Sequence, residues 1–476
     1  MMKKLFSFSV IAISAMMCAS MLTSCGDDDN SSTSNVPAQT GDRAIFQQHF
    51  KKNMKGIAEN LNFTSWEVAN NLNIDFNVNV LGNPAFGATL HQILTDQITA
   101  NAAPASTAVQ EKGYAIQSLV DLSQLHYRFT LKEDKSGFDV TPAECFELVH
   151  KADDGATNKL SIDFSGENSK MLAQILSQRT NVGVIMLIPS KLTFSISTTG
   201  LTGAEAIVFK GELNNNIKAA GELLDITKDD WNVQGTLSSN IPAAANNKGD
   251  QSQVDFEFAK DPTTKKFVNK FMFVHNNQKV FEIDATNTHQ GNLMAFLQTL
   301  PIMIAQGQLV DILTNPSLLN MLLSTVVGNS IDQLKLTLYD DLSINAKISD
   351  VGKAIAIQKQ AKAARRQYAS ESEIAPFAQQ MNEVLSASLE CKGVNQKIPV
   401  TIKTAPFGVD YLMMPALKFA DEQDYVLLTD LLEKESLIYT LNIIDHGTPN
   451  ATQGIVAISQ VLAVMRTLLA GSTAQQ

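Results

Sequence analysis

Lys191-Leu192-Thr193-Phe194-Ser195-Ile196 alternates polar and apolar residues without a break. Successive side chains of a strand point to opposite faces, so this segment turns Leu192, Phe194 and Ile196 inward and the other three toward water. The same alternation recurs in Gln333-Leu334-Lys335-Leu336-Thr337-Leu338 and in Gln124-Leu125-His126-Tyr127-Arg128-Phe129-Thr130. Half-buried strands of this kind belong to antiparallel sheets, because parallel sheets are covered on both faces. Working outward, Phe146-Glu147-Leu148-Val149-His150 precedes the first stretch as Phe271-Met272-Phe273-Val274-His275 precedes the second. Residues of about 125–220 and 250–350 therefore read as divergent copies of one module.

The repeating unit reads as strand, Asn/Gly-rich turn and amphipathic helix. Its first appearance is Asn73–Val78 followed by a helix with Phe86, Leu90, Ile93, Leu94 and Ile98 on one face. The second is Leu160–Phe164, then Asn168 as N-cap with Met171, Leu172, Ile175 and Leu176. The third is Phe281–Ala285 with a helix over Leu293–Leu300, and the last is Tyr439–Asp445 with a helix over Ile455–Leu469. The fold class is α+β: an antiparallel β-sheet-rich body of repeated strand-turn-helix units, with helices covering one face.

The spacing of Phe46, Phe50, Met54 and Ile57 predicts an entry helix over Asp42–Leu61, and Thr64-Ser65-Trp66-Glu67 matches a capping box. Residues 353–387 are rich in Ala, Gln and Lys, include the basic run Lys362-Ala363-Ala364-Arg365-Arg366, and form a helical connector interrupted at Pro376. The basic run reads as a solvated helix face, with binding of an anion or a partner as the alternative. Strands return at Ser388–Lys392, Ile398–Lys403 and Tyr411–Phe419. Domain organisation follows: 1–24, 25–41, an entry and first module at 42–240, a second module at 241–352, the connector at 353–387 and a closing segment at 388–476. Two apolar stretches, Pro301–Val327 and Gly454–Ala470, carry polar residues too costly at bilayer depth and read as core-covering helices.

The first 24 residues read as a secretory signal, with Lys3 and Lys4 ahead of the short apolar core Leu5–Met17, which is too short to span a bilayer. They end in Leu22-Thr23-Ser24-Cys25, which resembles the lipobox of bacterial lipoproteins. Asp27, Asp28 and Asp29 follow in a polar run without apolar residues, a disordered tether. That acidic run resembles the export signal of surface lipoproteins in Bacteroidetes. The resemblance covers about the first thirty residues and implies acylation of Cys25 and a lipid-anchored outer-membrane protein, with the outward-facing side favoured over the periplasmic one.

Composition narrows function. The 476 residues are 44% hydrophobic and 18% charged, with a net charge of −11 that becomes −13 once two lysines leave with the signal. Nucleic acid, which needs a basic face, is excluded as a partner. Membrane attachment must come from acyl chains, not from a basic patch. Of the four cysteines, Cys145 and Cys391 remain after processing, either as one disulfide or as two buried thiols.

Catalytic and cofactor motifs with specific spacing are absent from the sequence, and the seven histidines show no metal-binding pair. No metal or cofactor is expected. Asp445-His446 sits at a strand end but in a Gly-Pro-Asn turn. Asp163 and Asp284 hold matching positions in the two copies; two carboxylates can flank a glycosidic bond, but an Asp ending a strand before a helix more often caps backbone amides. The expected function is a non-catalytic envelope lipoprotein that binds an apolar, lipid-like ligand or a protein partner. Alternatives are a glycan-binding accessory protein using Trp231 as a platform, and a hydrolase with a dispersed site.

Overall fold

Cross-strand register dominates the architecture of this chain, seen in a computed structural model that describes residues 41–60, 83–173, 181–216, 221–224, 232–242, 249–261, 263–264, 266–287, 331–365, 369–407 and 410–431, with 68, 72, 75–76 and 79–80 besides. The chain divides into two compact units. A framing unit comprises residues 1–62, 265–296 and 306–452, and an inserted unit comprises 63–264, 297–305 and 453–476.

The framing unit opens with helix α1 (Asp42–Asn60). The inserted unit contains α2 (Pro84–Ala100), β1 (Ala103–Pro104), α3 (Thr107–Gln110), β2 (Ile116–Asp121), β3 (Tyr127–Leu131), β4 (Phe138–Pro142), β5 (Phe146–Lys151), β6 (Thr157–Ala173), β7 (Val182–Thr198), β8 (Ala206–Asn215), β9 (Asn232–Ile241) and β10 (Asp250–Lys260). Strands β5 to β10 pair consecutively as an antiparallel meander, while β3 joins β5 in parallel and β2 joins the first half of β7 in parallel. Register aligns Phe146, Ile162, Phe194, Gly211, Leu237 and Val254 across the sheet. Phe86 of α2 packs on the same apolar side, its ring 5.5 Å from Phe129 and 6.5 Å from Phe146.

The rest of the framing unit holds β11 (Phe267–His275), β12 (Gln278–Asn287), β13 (Ile331–Leu338), β14 (Leu342–Ile348), α4 (Val351–Arg365), α5 (Glu371–Val384), β15 (Leu385–Cys391), β16 (Ile398–Phe407), β17 (Asp410–Leu417), β18 (Val426–Leu427) and α6 (Leu428–Leu431). All eight strands pair consecutively and antiparallel. One row reads Phe271, Ile283, Leu336, Ile344, Leu389 and Ile398; the next row toward the connector reads Ala285, Leu334, Ala346, Ala387, Val400 and Leu417. Residues one position away in the strands, Lys270, Asp284, Lys335, Asn345 and Ser388, form the polar side. The body is thus strand-rich and largely antiparallel, as expected from period-2 alternation.

Several local expectations fail. Asp75 and Phe76 are helical, as are Asn79 and Val80, so the strand expected over Asn73–Val78 is not found at its described residues, Asp75 and Phe76. Phe76 and Val80 are both buried four residues apart, and Asn79 donates to Asp75 at 2.6 Å, so helical spacing overrides the alternation. Asn168 caps no helix: β6 runs on through Met171 and Leu172, paired with β7 after a bulge between Ser165 and Asn168 where Gly166 takes φ +85°. The connector breaks before Ser370, which forms a capping box with Glu373, whereas Pro376 lies inside α5. The compact units also divide the chain differently from the expected domains. Leu293–Leu300, Tyr439–Asp445, Ile455–Leu469, Thr64–Glu67 and both long apolar stretches lie outside the described residues. Among the described residues no helix is long and apolar enough to cross a membrane.

Candidate functional site

Helices α5 and α4 and helix α1 each make local contacts with the framing unit. Ala378, Met381 and Val384 of α5, with Ile357 of α4, pack on Ile402, Leu385 and Met413. The Phe46 ring of α1 lies 5.9 Å from Phe419, and the Asn53 amide donates to the Leu338 carbonyl at 3.4 Å. A cavity of about 40 Å³ is walled by Ile344, Ala346, Ala387, Leu389 and Val400 among others, on strands β14 to β16. No polar atom reaches its wall. Water entering it would find no hydrogen-bond partner on its wall. Leu385, Ala387 and Val400 are half-exposed at its rim, while Ile344 and Leu389 at its base are buried.

The void has a covalent cause. Ala346 and Ala387 face each other across β14 and β15, and Val400 follows in the same row. Two methyl side chains side by side leave space that the surrounding leucines and isoleucines do not fill.

Polar chemistry concentrates elsewhere. In the inserted unit the Asp75 carboxylate is hydrogen-bonded to His150 Nε2 and accepts from Asn158 Nδ2 at 2.9 Å, while Thr198 donates to Asn158 Oδ1 at 2.7 Å. His150, Asn158 and Thr198 are 2%, 2% and 3% exposed, while the Asp75 side chain at the end of this chain of groups is 28% exposed. The chain of groups fastens the Asp75 helical turn to the ends of β5, β6 and β7. Sequence reading missed it because Asp75 and His150 are far apart in the chain; the buried-facing position of His150 in an alternating strand was the available signal. In the framing unit, Asp341 at the β13–β14 turn meets Lys52 at 2.6 Å and His49 at 3.5 Å. Burial alone pushes the Asp341 carboxyl up, but Lys52 and His49 outweigh it and hold the group below the ordinary carboxylate range.

Asp163 lies mid-strand in β6 and Asp284 mid-strand in β12, each on the polar side of its sheet, where neither caps a helix. Cys145, in the inserted unit, and Cys391, in the framing unit, are both free thiols. Burial raises both, Cys391 to about 11 with help from Asp341 and Asp42. Cys25, Asp27, Asp28, Asp29, Trp231, Asp445 and His446 lie outside the described residues. Among the described residues, no group of three or more His, Cys, Asp and Glu side chains is arranged to hold a metal ion. No family model, curated protein or solved structure matches the chain.

Proposed function

We propose that this protein is a non-catalytic, lipid-anchored envelope protein that holds an apolar, lipid-like ligand on the helix-covered side of its framing sheet. The observation that carries the reading is the all-carbon cavity, open at the rim formed by Leu385, Ala387 and Val400. An all-carbon wall suits an alkyl group and nothing that needs a hydrogen bond. The anchor is the acylated Cys25, and the acidic run Asp27–Asp29 directs the protein to the outer face of the outer membrane.

The two meanders, β5–β10 and β11–β16, are divergent copies in this reading. The support is their shared strand order, matching apolar rows, His150 and His275 at the ends of the first strands, and Asp163 and Asp284 on the polar side. Helices close one face of each copy, as α2 and α5 do.

Protein purified from its own envelope, denatured and extracted, tests the reading. Mass spectrometry should find an apolar compound at about one per chain in addition to the acyl groups released from the peptide bearing Cys25. Recovery of no apolar species beyond those acyl groups overturns it. Cys25→Ser should release the protein from the membrane fraction; retention there overturns the anchor.

A further inference from the structure

We infer that the cavity is the closed end of a site for one unbranched alkyl chain, entered methyl end first, and that the Ala346–Ala387 pair sets its width. This rests on the reading of the protein as a binder of apolar ligands.

The two sheets differ at the row where the cavity lies. In the inserted unit that row is Phe164, Leu192, Leu213, Gly235 and Phe256. Gly235 would leave a hole, but Phe256 fills it: a β-carbon built on Gly235 would lie 2.6 Å from the ring's Cζ. The framing unit has Ala285, Leu334, Ala346, Ala387 and Val400 in the same order. Small residues stand again in the middle, doubled here, but the following residue is valine, whose branches stop short of the space a phenylalanine ring takes. One sheet closes the gap with its own side chain; the other leaves it open beside three half-exposed apolar residues, Leu385, Ala387 and Val400.

The size and chemistry of the gap select the occupant. A cavity of about 40 Å³ matches about three methylene groups in single file and is too small for a ring system. Its wall offers no donor or acceptor, so a carboxylate or phosphate group cannot be buried there and stays outside the rim. The site therefore reads chain shape at the methyl end and leaves the headgroup unselected.

The test uses the full mature chain and cis-parinaric acid, a linear fluorescent fatty acid, with displacement by decanoate and by a decanoate ending in a tert-butyl group. The expected results are a saturable fluorescence rise, displacement by decanoate, and displacement at least about tenfold weaker by the branched analogue. Val400→Phe, which reproduces the inserted unit's solution, and the smaller change Ala387→Val should each weaken probe binding by about tenfold or more, the loss of two or so methylene contacts. Both should retain or raise the melting temperature of the wild type. Ser388→Leu, beside the site but on the polar side of β15, should leave binding unchanged. Equal binding by wild type, Val400→Phe and Ala387→Val overturns this inference while leaving the ligand-binding reading in place. Equal displacement by the branched analogue overturns the width claim. Absence of probe binding by the wild type overturns both.

Discussion

The side-chain amide of Asn382 in α5 pairs with both backbone groups of Ile402 in β16, donating to its carbonyl at 2.8 Å and accepting from its N–H at 2.7 Å. Strand β15 reaches along β16 only to the Ala387–Val400 pair, and Ile402 faces Pro415 on its other side. Asn382 therefore stands in for the missing strand and ties α5 to the sheet beside the cavity. Asn382→Leu keeps the volume and leaves both groups of Ile402 without that partner, an expected loss of about 1–3 kcal/mol. Urea unfolding of the variant against the wild type measures it; an unchanged midpoint would show that water replaces the amide at no cost.

Gly56→Ala should also destabilise, although alanine is the better helix former by about 1 kcal/mol. A β-carbon on Gly56 would lie 2.7 Å from the Tyr339 hydroxyl, which itself accepts from Asn60 at 2.8 Å. Tyr339 is partly buried, and moving its hydroxyl away would break the hydrogen bond from Asn60. Overpacking of this kind costs about 1–3 kcal/mol, so a net loss is expected by thermal denaturation. The double variant Gly56→Ala with Tyr339→Ala should recover part of it, which separates the clash from any intrinsic effect on the helix.

Thr198→Val removes the hydroxyl that donates to Asn158 Oδ1 while keeping the side chain's shape. Thr198 is 3% exposed and Asn158 2% exposed, so the orphaned acceptor stays out of reach of water. The expected loss is about 1–3 kcal/mol. Asp75→Ala should cost more, since it strips the acceptor from both His150 and Asn158. Differential scanning calorimetry orders the two variants; the reverse order would sink this account of the cluster.

Legibility in the sequence followed the range of the interaction. Strands with a wet side announced themselves: Leu192, Phe194 and Ile196 alternate and are buried as their period requires. So did α1 and α2, whose Phe46, Phe50, Phe86 and Leu90 repeat at helical spacing. The continuation of β6 through Leu172 was hidden, because Met171, Leu172, Ile175 and Leu176 also fit a helix, and only pairing with β7 decides between them. The cavity was hidden for the same reason. Ala346 and Ala387 are unremarkable residues in separate strands, and they form a gap only because the register sets them face to face.

Thiol chemistry separates two fates for the cysteines. Both are free in the folded chain, and burial raises both above the ordinary thiol range. Native protein at pH 8 should therefore react slowly with a thiol reagent, Cys391 more slowly than the half-exposed Cys145. Unfolding without reductant should expose both to rapid labelling. Labelling of neither after unfolding would reveal a disulfide and overturn the assignment.

Acid should loosen α1 through Asp341. The carboxyl is 7% exposed, with Lys52 at 2.6 Å, His49 at 3.5 Å and Lys392 at 3.9 Å around it, and Cys391 close enough for its thiol to be raised by the charge. Burial opposes ionisation, but the neighbouring cations win and depress the folded-state value. A depressed carboxyl adds stability that is fully present above its unfolded value, about 4, and is lost as pH falls through the lower folded value. Lys52→Met removes the nearest cation, so burial then raises the Asp341 carboxyl and the stability loss should begin at higher pH than in the wild type. Asp341→Asn should flatten this part of the acid limb, at a cost near neutral pH because His49 and Lys52 lose their anion. Urea midpoints measured from pH 7 down to pH 3 for the three proteins test the argument, and coincident curves for the wild type and Asp341→Asn would refute it.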